Sequence, residues 1–140
     1  MKLLAPLAAA LLLPLAACAT TPTQSDVITV AGEASYRQRV ALPPEAVVTV
    51  RIEDVSRADA AAPVLAEKRF SSEGRQVPLP FEIEVPRAAL DSVVRANARV
   101  RIEDGAGRLL WITDTSHPVT PVAGSERVDL GTLWLAAGTN

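Results

Sequence analysis

VTVRIED, residues 48–54, and ARVRIED, residues 98–104, end on the same five letters fifty positions apart. Both have a period of two. Val48, Val50 and Ile52 alternate with Thr49, Arg51 and Glu53, and Ala98, Val100 and Ile102 alternate with Arg99, Arg101 and Glu103. Such alternation gives a β-strand one apolar face and one wetted face. The closing aspartate opens a turn in each case. Asp104-Gly105-Ala106-Gly107 is a short hairpin connection, and Asp54 opens a longer one through Ser56 and Ala58. The surrounding segments differ, and 140 residues are too few for two such domains. The repeat is one structural solution used twice.

The same period runs outward along the chain. Val77, Leu79, Phe81, Ile83 and Val85 alternate with Pro78, Pro80, Glu82, Glu84 and Pro86. Seven strands are expected: Val27–Arg39, Ala46–Val55, Val64–Ser71, Gln76–Val85, Val93–Glu103, Arg108–His117 and Arg127–Leu135. Turn residues separate them at Leu42-Pro43-Pro44, Ser56–Pro63, Glu73-Gly74, Asp104-Gly105 and Ala123-Gly124. Residues 86–91, PRAALD, form the one expected helical turn, with Pro86 at its first position. Short strands around one core predict an all-β fold, a small antiparallel β-sandwich. Pro78 and Pro80 lack N–H donors on the same side of their strand, so Gln76–Val85 is expected at a sheet edge with that side outward.

The first 17 residues, MKLLAPLAAALLLPLAA, carry one positive charge at Lys2 and an apolar run from Leu3 to Leu15. That run is short of the roughly 20 residues a helix needs to cross a bilayer, and it reads as a signal peptide. Leu15-Ala16-Ala17-Cys18 follows, resembling a bacterial lipobox, and Cys18 is the sole cysteine. Cleavage is expected between Ala17 and Cys18, with lipid attached to the Cys18 sulfur. No thiol then remains for a disulfide. Ala19 at the next position favours the outer membrane by resemblance to known sorting rules. Residues 18–26 comprise the lipidated cysteine and a small polar tether, and residues 27–140 the β domain.

Candidate chemistry is sparse. Formal net charge is −2, which provides no basic field for nucleic acid. Glu53, Asp54, Glu103 and Asp104 would make a Ca²⁺ site only if their turns met at one end of the sandwich, and a solvated face of Arg–Glu cross-strand pairs is the expected alternative. Asp114, Ser116 and His117 are the ingredients of nucleophilic catalysis. Neighbours on one strand point to opposite faces, so they make no local triad. Trp111 and Trp134 are expected in the core or at its rim. No catalytic residue, metal or cofactor is expected.

The stretches YRQRVALPPEAVVTVRIEDVSRADAAAPVLAEKRF, GRQVPLPFEIEV and VRIEDGAGRLLWITDTSHPV resemble the YbaY-family lipoproteins, grouped with the YscW-type chaperones, the pilotin lipoproteins of type III secretion. The resemblance covers about Val27 to Pro121, and ALPPEAVVTVRIEDVSRAD is its most specific part. It implies a small β domain anchored by lipid in the cell envelope, facing the periplasm. It carries over no catalytic residues. The expected function is a non-enzymatic binding or assembly module, chaperone- or pilotin-like, with the membrane and an envelope protein as partners. The alternative is a periplasmic enzyme inhibitor or small hydrolase on the same scaffold.

Overall fold

In the computed structural model of the protein, which describes residues 25–139, the two VRIED segments lie side by side. They run antiparallel, with Val50 directly opposite Val100 and Arg51 opposite Arg99. Their valines and isoleucines are fully buried. Their arginines each find a carboxylate on the outer face: Arg51 Nε lies 2.5 Å from Glu67, Arg99 3.4 Å from Glu53 and Arg101 2.7 Å from Glu103. The expected cross-strand Arg–Glu face is therefore present. It relieves the like-charge opposition of Arg51 and Arg99.

Seven strands and one helical turn make up the described chain: β1 (Val27–Ser35), β2 (Val47–Asp54), β3 (Val64–Ser71), β4 (Leu79–Pro86), α1 (Arg87–Asp91), β5 (Ala96–Glu103), β6 (Leu109–Thr113) and β7 (Arg127–Ala137). They form one sheet in the order β3-β2-β5-β6-β7-β1-β4. Neighbours are antiparallel except β1 and β7, which are parallel. The all-β class and strand count match the sequence expectation. The two separate sheets of a sandwich do not form. β7 pairs with β1 up to Trp134 and then with β6 from Leu135 to Ala137. It thereby joins the two halves into a nearly closed, barrel-like sheet. Gly131, at φ 64°, sits where the β1–β7 register shifts. Only glycine takes that left-handed conformation without cost, and it lets β7 bend across.

The core lies between the halves. Ile28 and Val30 of β1, Val48, Val50 and Ile52 of β2, Leu79 and Val85 of β4, Val100 and Ile102 of β5 and Leu133 of β7 are essentially unexposed. Burying each such side chain contributes about 1.5–3 kcal/mol. With no thiol among the described residues, this packing holds the fold.

Side chains competing for backbone groups shorten the expected strands. β1 stops at Ser35, where Tyr36 turns in and its hydroxyl donates to the Val40 carbonyl at 2.6 Å. β4 starts only at Leu79, because the Gln76 amide pairs with both backbone groups of Leu42. β5 starts at Ala96, because Val94 N–H and Arg95 N–H donate to the Ser56 hydroxyl. β6 ends at Thr113, because His117 N–H and the Ser116 hydroxyl donate to Asn97 Oδ1. The helical turn is present, with Pro86 capping it from outside rather than occupying its first position. Residues 1–24, with the expected signal peptide, Cys18, the Ala17–Cys18 junction and most of the tether, lie outside the described residues. Ser25 and Asp26, read as the end of that tether, are held: the Ser25 hydroxyl donates to Glu126 at 2.7 Å, and Arg87 N–H donates to the Asp26 carbonyl at 2.8 Å.

Candidate functional site

β3 and β4 are the two free ends of the sheet order, and they face each other across an unclosed seam. Lys68 of β3 donates from Nζ to the backbone carbonyl of Glu82 of β4 at 2.8 Å. Lys68 stands directly opposite buried Val50, so it occupies an inward-facing position of its strand. A valine there would continue the core. An ammonium cannot be buried without a partner at tolerable cost, so Lys68 leans into the seam instead.

On the facing strand, the Glu82 carbonyl points toward β3. Backbone direction alternates with period two, so Pro80 and Glu84 present the same edge. Pro80 has no N–H to offer a ladder. The expectation that this strand is a proline-blunted edge is met, with Pro78 just outside β4. An inward lysine on one edge and a proline on the other are devices that keep strand edges from pairing. The seam therefore stays open as a groove of about 440 Å³ lined by Lys68, Phe70, Arg75, Pro80, Phe81 and Glu82.

The groove is polarised along its length. Arg75, anchored through Nε to the Ser72 carbonyl at 3.1 Å, provides a cation at one end, and Lys68 stands against Glu82 between the two ends. Glu67, Glu82 and Glu84 line its continuation toward Thr29. Buried Phe81 forms an apolar floor, with Phe70 half-buried beside it. No serine, cysteine or histidine lines it. Such a surface seats an apolar side chain on the two rings and pairs an anionic group with Lys68 and Arg75.

The residues singled out from the sequence lie elsewhere. β2 and β5 are antiparallel, so the two VRIED carboxylate pairs stand at opposite ends of the barrel and do not form one cluster. Asp54 accepts from Ser56 N–H at 2.9 Å and from the Ser56 hydroxyl. Asp104 accepts from Ala106 N–H at 3.0 Å and Arg108 N–H at 2.9 Å. These hydrogen bonds hold both carboxyls below the usual aspartate range. Each aspartate organises its own turn.

Asp114, Ser116 and His117 fall in the loop after β6 rather than on the strand. Ser116 bonds Asn97, while His117 Nε2 lies 3.2 Å from the Thr115 hydroxyl. Burial lowers the His117 pKa. Trp111 is in the core, stacked on Tyr36 at 4.0 Å. Trp134 is at the surface, with the Arg37 guanidinium 4.9 Å above its ring.

Sequence reasoning missed Lys68, Phe70 and Arg75. A signal existed: Glu67-Lys68-Arg69 is three charges in a row, which breaks the strand alternation and leaves β3 no continuous apolar face.

The profile of a protein family described as type III secretion system lipoprotein chaperone (YscW) matches residues 25–131. The uncharacterized lipoprotein YbaY of Escherichia coli (strain K12) is 37% identical over 118 residues, covering 81% of this chain and 60% of that protein. The chain thus spans about three fifths of the length of that relative. The solved structure of an alternative pilotin from the type II secretion system of Vibrio cholerae shares 38% identity and a TM-score of 0.67, over 80% of this chain and 99% of that one. The matched region reaches past Pro121 and into β7.

Proposed function

We infer the function of this chain from its family: it belongs to the YscW family of type III secretion system lipoprotein chaperones. We propose that it is a non-catalytic, lipid-anchored assembly module that holds a segment of an envelope protein in the β3–β4 groove. A role like that of the Vibrio cholerae pilotin, toward a secretion-system component, is the specific form of this reading. The observation that carries it is the open seam: an apolar floor flanked by Lys68 and Arg75, kept unpaired by Lys68 and Pro80. The blunted edges favour an occupant bound through its side chains over one added as an eighth strand.

The anchor in this reading is diacylglyceryl lipid on Cys18, after cleavage between Ala17 and Cys18, in the outer membrane and facing the periplasm. Acylation contributes about 0.8 kcal/mol per buried CH₂, so several chains hold a protein durably where one does so only marginally.

Two comparisons on crosslinked envelopes test the proposal. Cys18→Ser should leave a folded domain that no longer sediments with membranes after a high-salt wash. Lys68→Glu with Arg75→Glu should keep the membrane anchor and lose the captured envelope protein. A doubly reversed groove that captures the same protein undiminished sinks the groove assignment. A Cys18→Ser protein that still sediments sinks the anchor.

A further inference from the structure

The barrel has two unlike ends. The strands alternate in direction, so β1, β3, β5 and β7 begin at the end where β2, β4 and β6 finish. That end carries α1, the connections 55–63 and 114–126, and the point where the N-terminal segment joins the domain. The junction is pinned from two sides. Arg87 of α1 donates from Nε to the Ser25 carbonyl at 3.1 Å and from Nη2 to the Ser125 carbonyl at 2.9 Å, and Ser25 bonds Glu126 at 2.7 Å. Ser25 is therefore held in place by α1 and the loop before β7.

Exposed apolar side chains gather at this same end. Val27, Val40, Val64, Val94, Val122 and Trp134 are the large hydrophobic residues exposed in the described chain. Val27 and Val64 begin β1 and β3, Val94 follows α1, and Val122 precedes β7, so four of the six share it. Val94 and Val122 are the most exposed, at 88% and 71%. Val94 shares a small apolar groove with Leu90, Val93, Val119 and Pro121, the last adjacent to Val122. Scattered surface valines need no explanation, but a cluster at one pole marks an interaction surface. Six residues lie between Cys18 and Ser25, so the two are at most roughly 25 Å of extended chain apart.

We propose that this pole is a lipid-facing foot, with Val94 and Val122 seated at the headgroup–acyl boundary of a zwitterionic phospholipid surface. The proposal rests on the lipid anchor at Cys18. The foot is too small to hold a membrane alone; the anchor keeps it at high local concentration against the bilayer. The lipid class follows from charge. Asp26, Asp59, Asp91, Asp114 and Glu126 outnumber Arg57, Arg95 and Arg127 among the exposed side chains around the pole, and Arg127 is paired with Glu82, so an anionic surface repels it. Seated this way, the β3–β4 groove stands upright, with Arg75 away from the bilayer and Glu84 toward it.

The test uses the full-length lipidated protein in phosphatidylcholine vesicles with brominated acyl chains, which quench tryptophan at the boundary. Vesicle flotation is read first. Val94→Trp and Val122→Trp should each show emission quenched by the brominated lipid. The unsubstituted protein, with Trp111 buried and Trp134 on the barrel wall, should not, nor should Gln38→Trp at the far pole. Including phosphatidylglycerol should reduce the quenching. Flotation without quenching at Val94→Trp and Val122→Trp, equal quenching at Gln38→Trp, or stronger quenching on anionic vesicles overturns the foot and leaves the anchor standing. Failure to float overturns both.

Discussion

Gly32 shows how tightly the β1 side of the core is packed. A Cβ at this position would lie 3.0 Å from the Gly131 carbonyl oxygen, 3.0 Å from Phe81 Cζ and 3.1 Å from Leu133 Cδ1. Two of those neighbours are core side chains and one is backbone, so none gives way freely. Gly32→Ala should destabilise the domain by about 1–3 kcal/mol, the usual cost of overpacking. Urea denaturation measures it, and an unchanged midpoint shows that β1 and β7 can move apart.

The titrating groups also act residue by residue. The Ser56 hydroxyl lowers the Asp54 pKa, the Arg108 amide that of Asp104, and the Ser25 hydroxyl that of Glu126, from ordinary values of 3.8, 3.8 and 4.5. A carboxyl lowered on folding binds its proton less readily in the native state. Its stabilisation is complete above the ordinary value and is lost as pH falls through the lowered one. His117 is lowered from 6.5 by burial, so it too favours the folded state less as it charges, starting below pH 6.5. The melting temperature should hold steady from pH 8 to 7, dip slightly below 6.5, and fall further below about 4.5. His117→Gln should abolish the first dip, and melting that rises on acidification contradicts these assignments. None of this was legible from residue identity alone. Asp54 and Asp104 looked like possible metal ligands until each was seen to organise its own turn, at opposite poles.

At the scale of elements, the strands were legible wherever apolar residues alternate without interruption. β2, β3, β4, β5 and β7 fall within three residues of their expected bounds, and β1 and β6 stop four residues short of theirs. The misses lie where a side chain takes a backbone group the ladder would have used, as Ser56 takes the amides of Val94 and Arg95 and Asn97 takes that of His117. Such pairings join residues about 20 to 40 positions apart, and no local pattern announces them. The blunted edge of β4 could be read from its prolines, because a missing donor is a property of the residue itself.

Lys68 on β3 is the complementary device. Its inward orientation follows from register with Val50, which sequence does not supply. Lys68→Val together with Pro80→Thr should restore an apolar position and a donor to the two free edges. The domain should stay folded and form larger species, visible by light scattering, as exposed edges pair between molecules. A strictly monomeric double variant shows that the rest of the seam suffices to prevent pairing.

At the scale of the whole molecule, the difference between a sandwich and a nearly closed barrel comes down to one strand. β7 serves both halves because it is long and bends at Gly131. Length and the period-two alternation predicted one all-β domain without predicting that join, and the groove on the opposite side is a consequence of it. Closure along β7 leaves β3 and β4 as the one pair of facing edges among the described residues, and their side chains decide that the pair stays apart. The candidate site is thus a product of topology, and for that reason its residues carried no motif.

The central claim is that this groove receives an envelope protein. A photoreactive phenylalanine analogue placed at Phe70, in the full-length protein in its own envelope, tests it most directly. The account predicts a covalent adduct with one envelope protein from position 70, loss of that adduct when Lys68 and Arg75 are reversed to glutamate, and none from the same analogue at Trp134. Adducts from position 134 with none from position 70, or an adduct from position 70 indifferent to charge reversal, would contradict it.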